Sequence, residues 1–201
     1  MKKIFLFASL LLTAAPSFAA GAVVTQASGD AQIVRAESVQ PAAKNAACSA
    51  GDKLVTAAGS QMDVALNGLA GCRLLASTRC AIRKTDASEM ELAVEEGNVI
   101  LNLQKLPPGS TFRLETPTAV AAVQGTQFWG RVLPTGEAPD ATTFAVREGT
   151  VQVTVKDSGK TVTLEKGQAL DITPGQLPEV RPALDAELQA MAQASEIATN
   201  I

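Results

Sequence analysis

The sequence predicts an all-β fold: a twisted, solenoid-like stack of short β-strands ending in one C-terminal α-helix, with a β-sandwich as the alternative layering. Three observations predict it. From about residue 22 to residue 172 apolar residues recur with a period of two, which is the pattern of half-buried strands. Turn chemistry interrupts that pattern at short, fairly even intervals. The element Glu-Gly-x-Val recurs as Glu96-Gly97-Asn98-Val99 and Glu148-Gly149-Thr150-Val151, 52 residues apart, as expected of stacked layers.

The chain opens with MKKIFLFASLLLTAAPSFAA, which has two lysines, an apolar run from Ile4, then Pro16 and the small-residue pattern Ser17-Phe18-Ala19. This is the composition of a secretory signal peptide over residues 1–19. The run is shorter than the roughly 20 apolar residues that span a bilayer, so the mature form is expected to have no membrane span and to be periplasmic or secreted. Removing 19 of 201 residues leaves 182, read as an all-β domain over 20–175 and a linker with a C-terminal helix over 176–201. Loss of Lys2 and Lys3 moves the formal charge from −3 to −5, which leaves no basic footprint for nucleic acid or an anionic membrane.

The strands follow in order. Met62, Val64 and Leu66 share one face, as do Met90, Leu92 and Val94. Val99, Leu101 and Leu103 alternate with Ile100, Asn102 and Gln104, and Phe112 and Leu114 alternate with Arg113 and Glu115. The run Ala119-Val120-Ala121-Ala122-Val123 alternates little and reads as a strand buried on both faces. Gly125 follows as an expected bulge, placing Thr126 and Phe128 on one face. Val151, Val153 and Val155 point inward with Gln152 and Thr154 outward. With Asp157-Ser158-Gly159 as the turn, residues 151–164 read as a β-hairpin. Beyond Pro182, Leu184, Leu188 and Met191 have helical spacing.

The composition also limits chemistry. The chain has no His and no Tyr, which removes the commonest general base and the commonest metal ligand. The carboxylates Asp63, Glu91, Glu95, Glu96, Glu115 and Glu148 alternate with apolar residues, the pattern of a solvated strand face. Paired in space they would make a glycosidase, the least favoured function. No Asp-x-Asp-x-Asp-Gly spacing accompanies Asp157, so neither metal nor cofactor is expected. Three cysteines, Cys48, Cys72 and Cys80, imply one disulfide and one odd thiol after export. The pairing is open. Layers stacked about every two dozen residues would make Cys48 and Cys72 neighbours, and that pair is the expectation.

Seven ordered blocks together resemble a known family. They are Gly51-Asp52-Lys53-Leu54-Val55-Thr56, Val64-Ala65-Leu66-Asn67-Gly68, Glu96-Gly97-Asn98-Val99, Phe112-Arg113-Leu114-Glu115-Thr116-Pro117, Val123-Gln124-Gly125-Thr126-Gln127-Phe128, Val146-Arg147-Glu148-Gly149-Thr150-Val151 and Leu164-Glu165-Lys166-Gly167. In this order they resemble the FecR domain, over about residues 24–174. The resemblance implies a periplasmic, all-β, solenoid-like module that works through protein contacts, in regulators that couple an outer-membrane transducer to a sigma factor. This chain has an export signal where those regulators carry a cytoplasmic segment and a membrane helix. It also shows no second α/β subdomain after the β body. What carries over is an exported, non-catalytic module that binds an unidentified envelope protein or polymer. A structural or carbohydrate-binding envelope protein is the alternative. The expected interaction surface comprises Gln152 and Thr154 on an open hairpin edge, with Trp129 as a second candidate platform.

Overall fold

The computed structural model describes residues 21–86, 88–134, 140–194 and 196–197; the expected signal peptide lies outside them. In chain order the strands are β1 (Ala22–Ser28), β2 (Ala31–Arg35), β3 (Ser38–Pro41), β4 (Ala47–Cys48), β5 (Lys53–Thr56), β6 (Gln61–Leu66), β7 (Ala70–Leu74), β8 (Thr78–Thr85) and β9 (Glu89–Leu103). There follow β10 (Thr111–Glu115), β11 (Ala119–Val123), β12 (Gln127–Leu133), β13 (Ala141–Glu148), β14 (Thr150–Val155), β15 (Thr161–Glu165), β16 (Gln168–Ile172), β17 (Glu179–Pro182) and one helix, α1 (Asp185–Gln193).

Two sheets face each other across one core. Sheet I runs β4-β1-β6-β7-β9-β12-β13-β16-β17. Sheet II runs β3-β2-β5-β8-β9-β10-β11-β14-β15. Strand β9 belongs to both, pairing in sheet II up to Glu96 and in sheet I from Gly97. The β9–β10 pairing is parallel, and the other strand pairings are antiparallel. Among the described residues the fold is all-β with one C-terminal helix. Its layering is that of two open sheets between which the chain repeatedly crosses.

The period-two residues fill the space between the sheets. Met62, Val64 and Leu66 from sheet I meet Met90, Leu92, Phe112, Leu114, Val151 and Val153 from sheet II in one cluster, each at most 1% exposed. Side chains of a strand alternate between its faces, so every second residue of each strand lands here. The sheets approach closely at Gly130, where a Cβ would come within 2.7 Å of Leu114 Cδ2.

Both Glu-Gly-x-Val elements mark crossings between sheets. Gly97, at φ 89°, takes β9 from sheet II to sheet I, and Gly149, at φ 84°, carries the chain from β13 in sheet I to β14 in sheet II. The two crossings run in opposite directions, so the recurrence is a repeated corner and not a repeated layer. Gly125, at φ 75°, is also a corner, between β11 and β12, and not the bulge expected from its sequence. The run before it alternates after all: Ala119, Ala121 and Val123 are buried, while Ala122 is exposed. A run of small residues conceals its periodicity because alanine sits on either face.

Helix α1 covers the outer face of sheet I. Met191, Ala194 and Ile197 pack on Ile100, Trp129, Ala145 and Ala169 as a second apolar cluster. A nine-residue helix is marginal by itself, and burial of a side chain such as Met191 stabilises it by about 1.5–3 kcal/mol. Glu187 accepts from the Leu184 N–H at 2.8 Å and pairs with Arg181 at 2.7 Å, while Gln127 Nε2 donates to Met191 C=O at 2.8 Å. Leu184, at helical spacing with Leu188 and Met191 in the sequence, is the N-cap residue and is exposed.

Candidate interaction surface

The outer face of sheet II has two unlike halves. Around β8, β9 and β10 it carries ion pairs: Lys53–Glu95 at 2.9 Å, Arg79–Glu96 at 3.4 Å, Lys84–Glu89 at 2.8 Å and Arg113–Glu89 at 3.4 Å. The hydrogen bond from Lys84 holds Glu89 below the ordinary carboxylate range. Lys156–Glu115 at 2.7 Å closes this half. Across β11, β14 and β15 the face is Val120, Ala122, Thr150, Gln152, Thr154, Thr161 and Thr163, uncharged up to Glu165 at the end of β15. Gln152 and Thr154 are exposed and point outward, as the alternation predicts.

The open edge is one strand further out than expected. β14 pairs with β11 on one side and β15 on the other, so Gln152 and Thr154 lie inside the sheet. The parity of the ladder shows which main-chain groups remain free. Val155 N–H donates to Lys160 C=O and Lys156 N–H to Thr118 C=O, both at 2.9 Å. Hydrogen-bonded and non-hydrogen-bonded pairs alternate in antiparallel ladders. Thr154–Thr161 and Gln152–Thr163 are therefore non-hydrogen-bonded pairs, and the N–H groups of Gln152 and Thr154 serve β11. The N–H and C=O groups of Thr161 and Thr163 point away from the sheet. The next outward donor, Glu165 N–H, is taken by Gln168 Oε1 at 2.8 Å.

A cleft of about 450 Å³ adjoins this surface, lined by Thr111, Arg113, Ala122, Gly125, Thr150 and Gln152 among others. It lies where the Gly125 and Gly149 corners stack, a Cβ on Gly149 falling 2.5 Å from Thr126 Cγ2. The Gly-Thr-x-Phe block thus has structural work: Gly125 and Thr126 turn the corner, and Phe128 is fully buried in the core.

Trp129 is not a platform on this surface. It projects from the outer face of sheet I, is 8% exposed and lies beneath α1, with the Arg131 guanidinium 5.9 Å from its ring centre. Sequence parity puts Trp129 on the face opposite Phe128, but only the packing of α1 removes that face from solvent.

The expected Cys48–Cys72 bridge is not formed. Cys48, Cys72 and Cys80 are free and buried. Cys48 on β4 and Cys72 on β7 are separated by β1 and β6, and three strand spacings are about 14 Å, beyond the roughly 7 Å that a disulfide spans. Burial pushes the Cys48 and Cys80 thiols up to about 12, so they are poor nucleophiles. Of the carboxylates singled out in the sequence, Asp63 is bidentate to Arg73 at 2.7 Å on sheet I, and Glu95, Glu96, Glu115 and Glu148 each pair with a cation.

The family profile described as FecR protein matches residues 52–152, half of the chain. Among solved structures, two crystal structures of a protein provisionally assigned as an anti-sigma factor, from Parabacteroides distasonis ATCC 8503, share this fold. One, at 1.65 Å resolution, has a TM-score of 0.59 and 17% identity; the other, at 2.50 Å, has 0.59 and 16%. Each alignment covers 70% of this chain and 64% of the other, so the chain spans less than two thirds of the length of these structures. No curated protein matches. The profile begins at Asp52, ends at Gln152 and takes in the corner glycines Gly97, Gly125 and Gly149, and on that match the chain belongs to the FecR protein family.

Proposed function

We propose that this chain is an exported, non-catalytic FecR module that acts in cell-envelope signalling by capturing a protein partner on the β11–β14–β15 half of sheet II. The observation that carries the reading is the division of that sheet. Its charged half is laced with its own ion pairs, while the other half presents Ala122, Gln152, Thr154 and Thr163 to solvent with Glu165 only at the end of β15. Depletion of charge is what distinguishes the centre of a protein interface from ordinary surface. The signal-like residues 1–19 support export, and the fold shared with a provisionally assigned anti-sigma factor supports a signalling role. No helix among the described residues is long and apolar enough to cross a membrane.

Dispersal of the carboxylates over two sheets, with Asp63, Glu95, Glu96, Glu115 and Glu148 each held by a cation, supports a non-catalytic role. Burial of the single Trp beneath α1 weighs against a sugar platform.

The test is a photo-crosslinking residue placed at Gln152 and, as a control on the far edge strand, at Gln40, in cells producing the full chain. The expected result is one discrete envelope-protein adduct from position 152, none from position 40, and a mature N-terminus near Ala20. Equal labelling at both positions, or an intact Met1 on the recovered protein, refutes the reading.

A further inference from the structure

We propose that β15 receives one extended segment of a partner protein, added as a further strand of sheet II. The segment has acidic residues at its ends and alternating small polar and apolar residues between them. This rests on the proposed function and specifies its partner.

The four outer strands of the two sheets are not equivalent. β4 has two residues. On β3, Ala42 N–H donates to Ala31 C=O at 2.8 Å, which places Pro41 and Val39 at the outward-facing positions. On β17, Ala183 N–H donates to Gly167 C=O at 2.8 Å, which places Pro182 and Val180 there. β3 and β17 thus each have a proline where a donor is needed, a recognised way of blocking strand addition, and β4 is too short to template one. β15 has no proline, and presents two free donors in succession, at Thr161 and Thr163.

The side chains define the occupant. Val162 is only half-buried at the end of the core, and Leu164 is fully buried behind it, so an added strand that faces the core with apolar residues completes its cover. On the outer side it would lie beside Thr161 and Thr163. Lys160 and Lys166 flank the strand, exposed and without ion-pair partners among the described residues. They fit acidic residues at the two ends of the incoming segment. They also oppose a second copy: the fullest two-fold pairing, centred on Thr163, sets Lys160 opposite Lys166 twice, and like charges facing across strands are unfavourable.

The probe is a fluorescently labelled synthetic peptide, Asp-Thr-Val-Thr-Val-Thr-Asp, which sets Val beside Val162 and Leu164 when its ends lie opposite Lys160 and Lys166, blocked at both ends and titrated at low salt with the mature protein, alongside a counterpart ending in Lys. The wild type should bind the acidic peptide more tightly. Thr163→Pro deletes an outward donor without touching the bonds to β14 and should weaken binding about tenfold, with the circular dichroism and Trp129 emission unchanged. If Thr163→Pro does not fold, Thr161→Pro asks the same question at the other free donor. Lys160→Glu combined with Lys166→Glu should reverse the preference between the peptides, by about threefold per end and less at high salt.

Binding that is indifferent to both prolines overturns the proposal, as does sensitivity to charge alone. A wild-type dimer in light scattering that Thr163→Pro abolishes would assign the edge to a second copy and overturn it equally. If Gln152 crosslinks its envelope partner just as well in the Thr163→Pro background, capture stands and strand addition falls. If no partner crosslinks at all, the proposed function falls and the peptide titration still judges the edge.

Discussion

Gly97→Ala should be among the most destabilising single-methyl changes in this chain, and the corner geometry sets its size. Gly97 sits at φ 89°, where an L-residue pays about 1–2 kcal/mol. A Cβ there would meet the Ser77 carbonyl oxygen and lie 2.5 Å from Thr78 Cα, both backbone atoms. They are held in place: Thr78 Oγ1 accepts from Asn98 N–H at 2.9 Å, and Leu75 N–H donates to Asn98 C=O at 3.0 Å. Overpacking of this kind adds about 1–3 kcal/mol, for a total near 2–5 kcal/mol. Gly59→Ala is the control. Its φ is 71°, but nothing lies within 4 Å of the added methyl, so only the backbone contribution of about 1–2 kcal/mol applies. In urea unfolding followed by Trp129 emission, Gly97→Ala should lose about 1–3 kcal/mol more than Gly59→Ala with an unchanged m-value. In calorimetry the same difference is about 3–10 °C in Tm. Equal losses for the two variants, within about 0.5 kcal/mol, would show that the corners do not touch and refute the packing argument.

Acid should loosen α1. Burial pushes the Asp171 carboxyl up, but the hydrogen bonds from Arg181 and Thr143 outweigh it and hold the group below its ordinary value. A depressed folded value means that its stabilisation is present above the unfolded value near 3.9 and is lost as pH falls through the folded one. Trp129 emission should therefore shift to the red below about pH 4, and Asp171→Asn should remove that step; an identical acid step in the variant refutes the assignment. In the reduced, folded protein the three buried thiols should resist a disulfide-exchange reagent at pH 8 and all react in urea. A thiol that reacts at once in the native state would contradict the burial.

Much of the fold was legible because a strand's side chains alternate whatever the strand pairs with. Met62, Val64, Leu66, Val151 and Val153 could be placed on a buried face from spacing alone, and Gln152 and Thr154 on the opposite one. The hairpin turn at Gly159 was legible for a similar reason, since its positive φ of 65° is a local requirement that glycine meets most easily, whereas Gly97, Gly125 and Gly149 read as layer openings and a bulge. Where alternation vanished, as in the alanine-rich β11, the reading failed with it.

Neighbour relations were not legible. Residues 148–151 and 96–99 share the pattern Glu-Gly-x-Val, yet one crosses from sheet I to sheet II and the other from sheet II to sheet I. Cys48 and Cys72 lie far apart because β1 and β6 stand between their strands. The single Trp is hidden by a helix more than fifty residues away in the chain. The free edge moved from β14 to β15 for the same reason: which donors remain unpaired depends on ladder parity and on how many neighbours a strand has. Periodicity and turn chemistry are properties of consecutive residues, so the sequence alone determined the strands, their inward faces and the hairpin turn at Gly159. Partner strands, the covered face and the open edge arise from contacts between residues distant in sequence, and only the tertiary structure decided them.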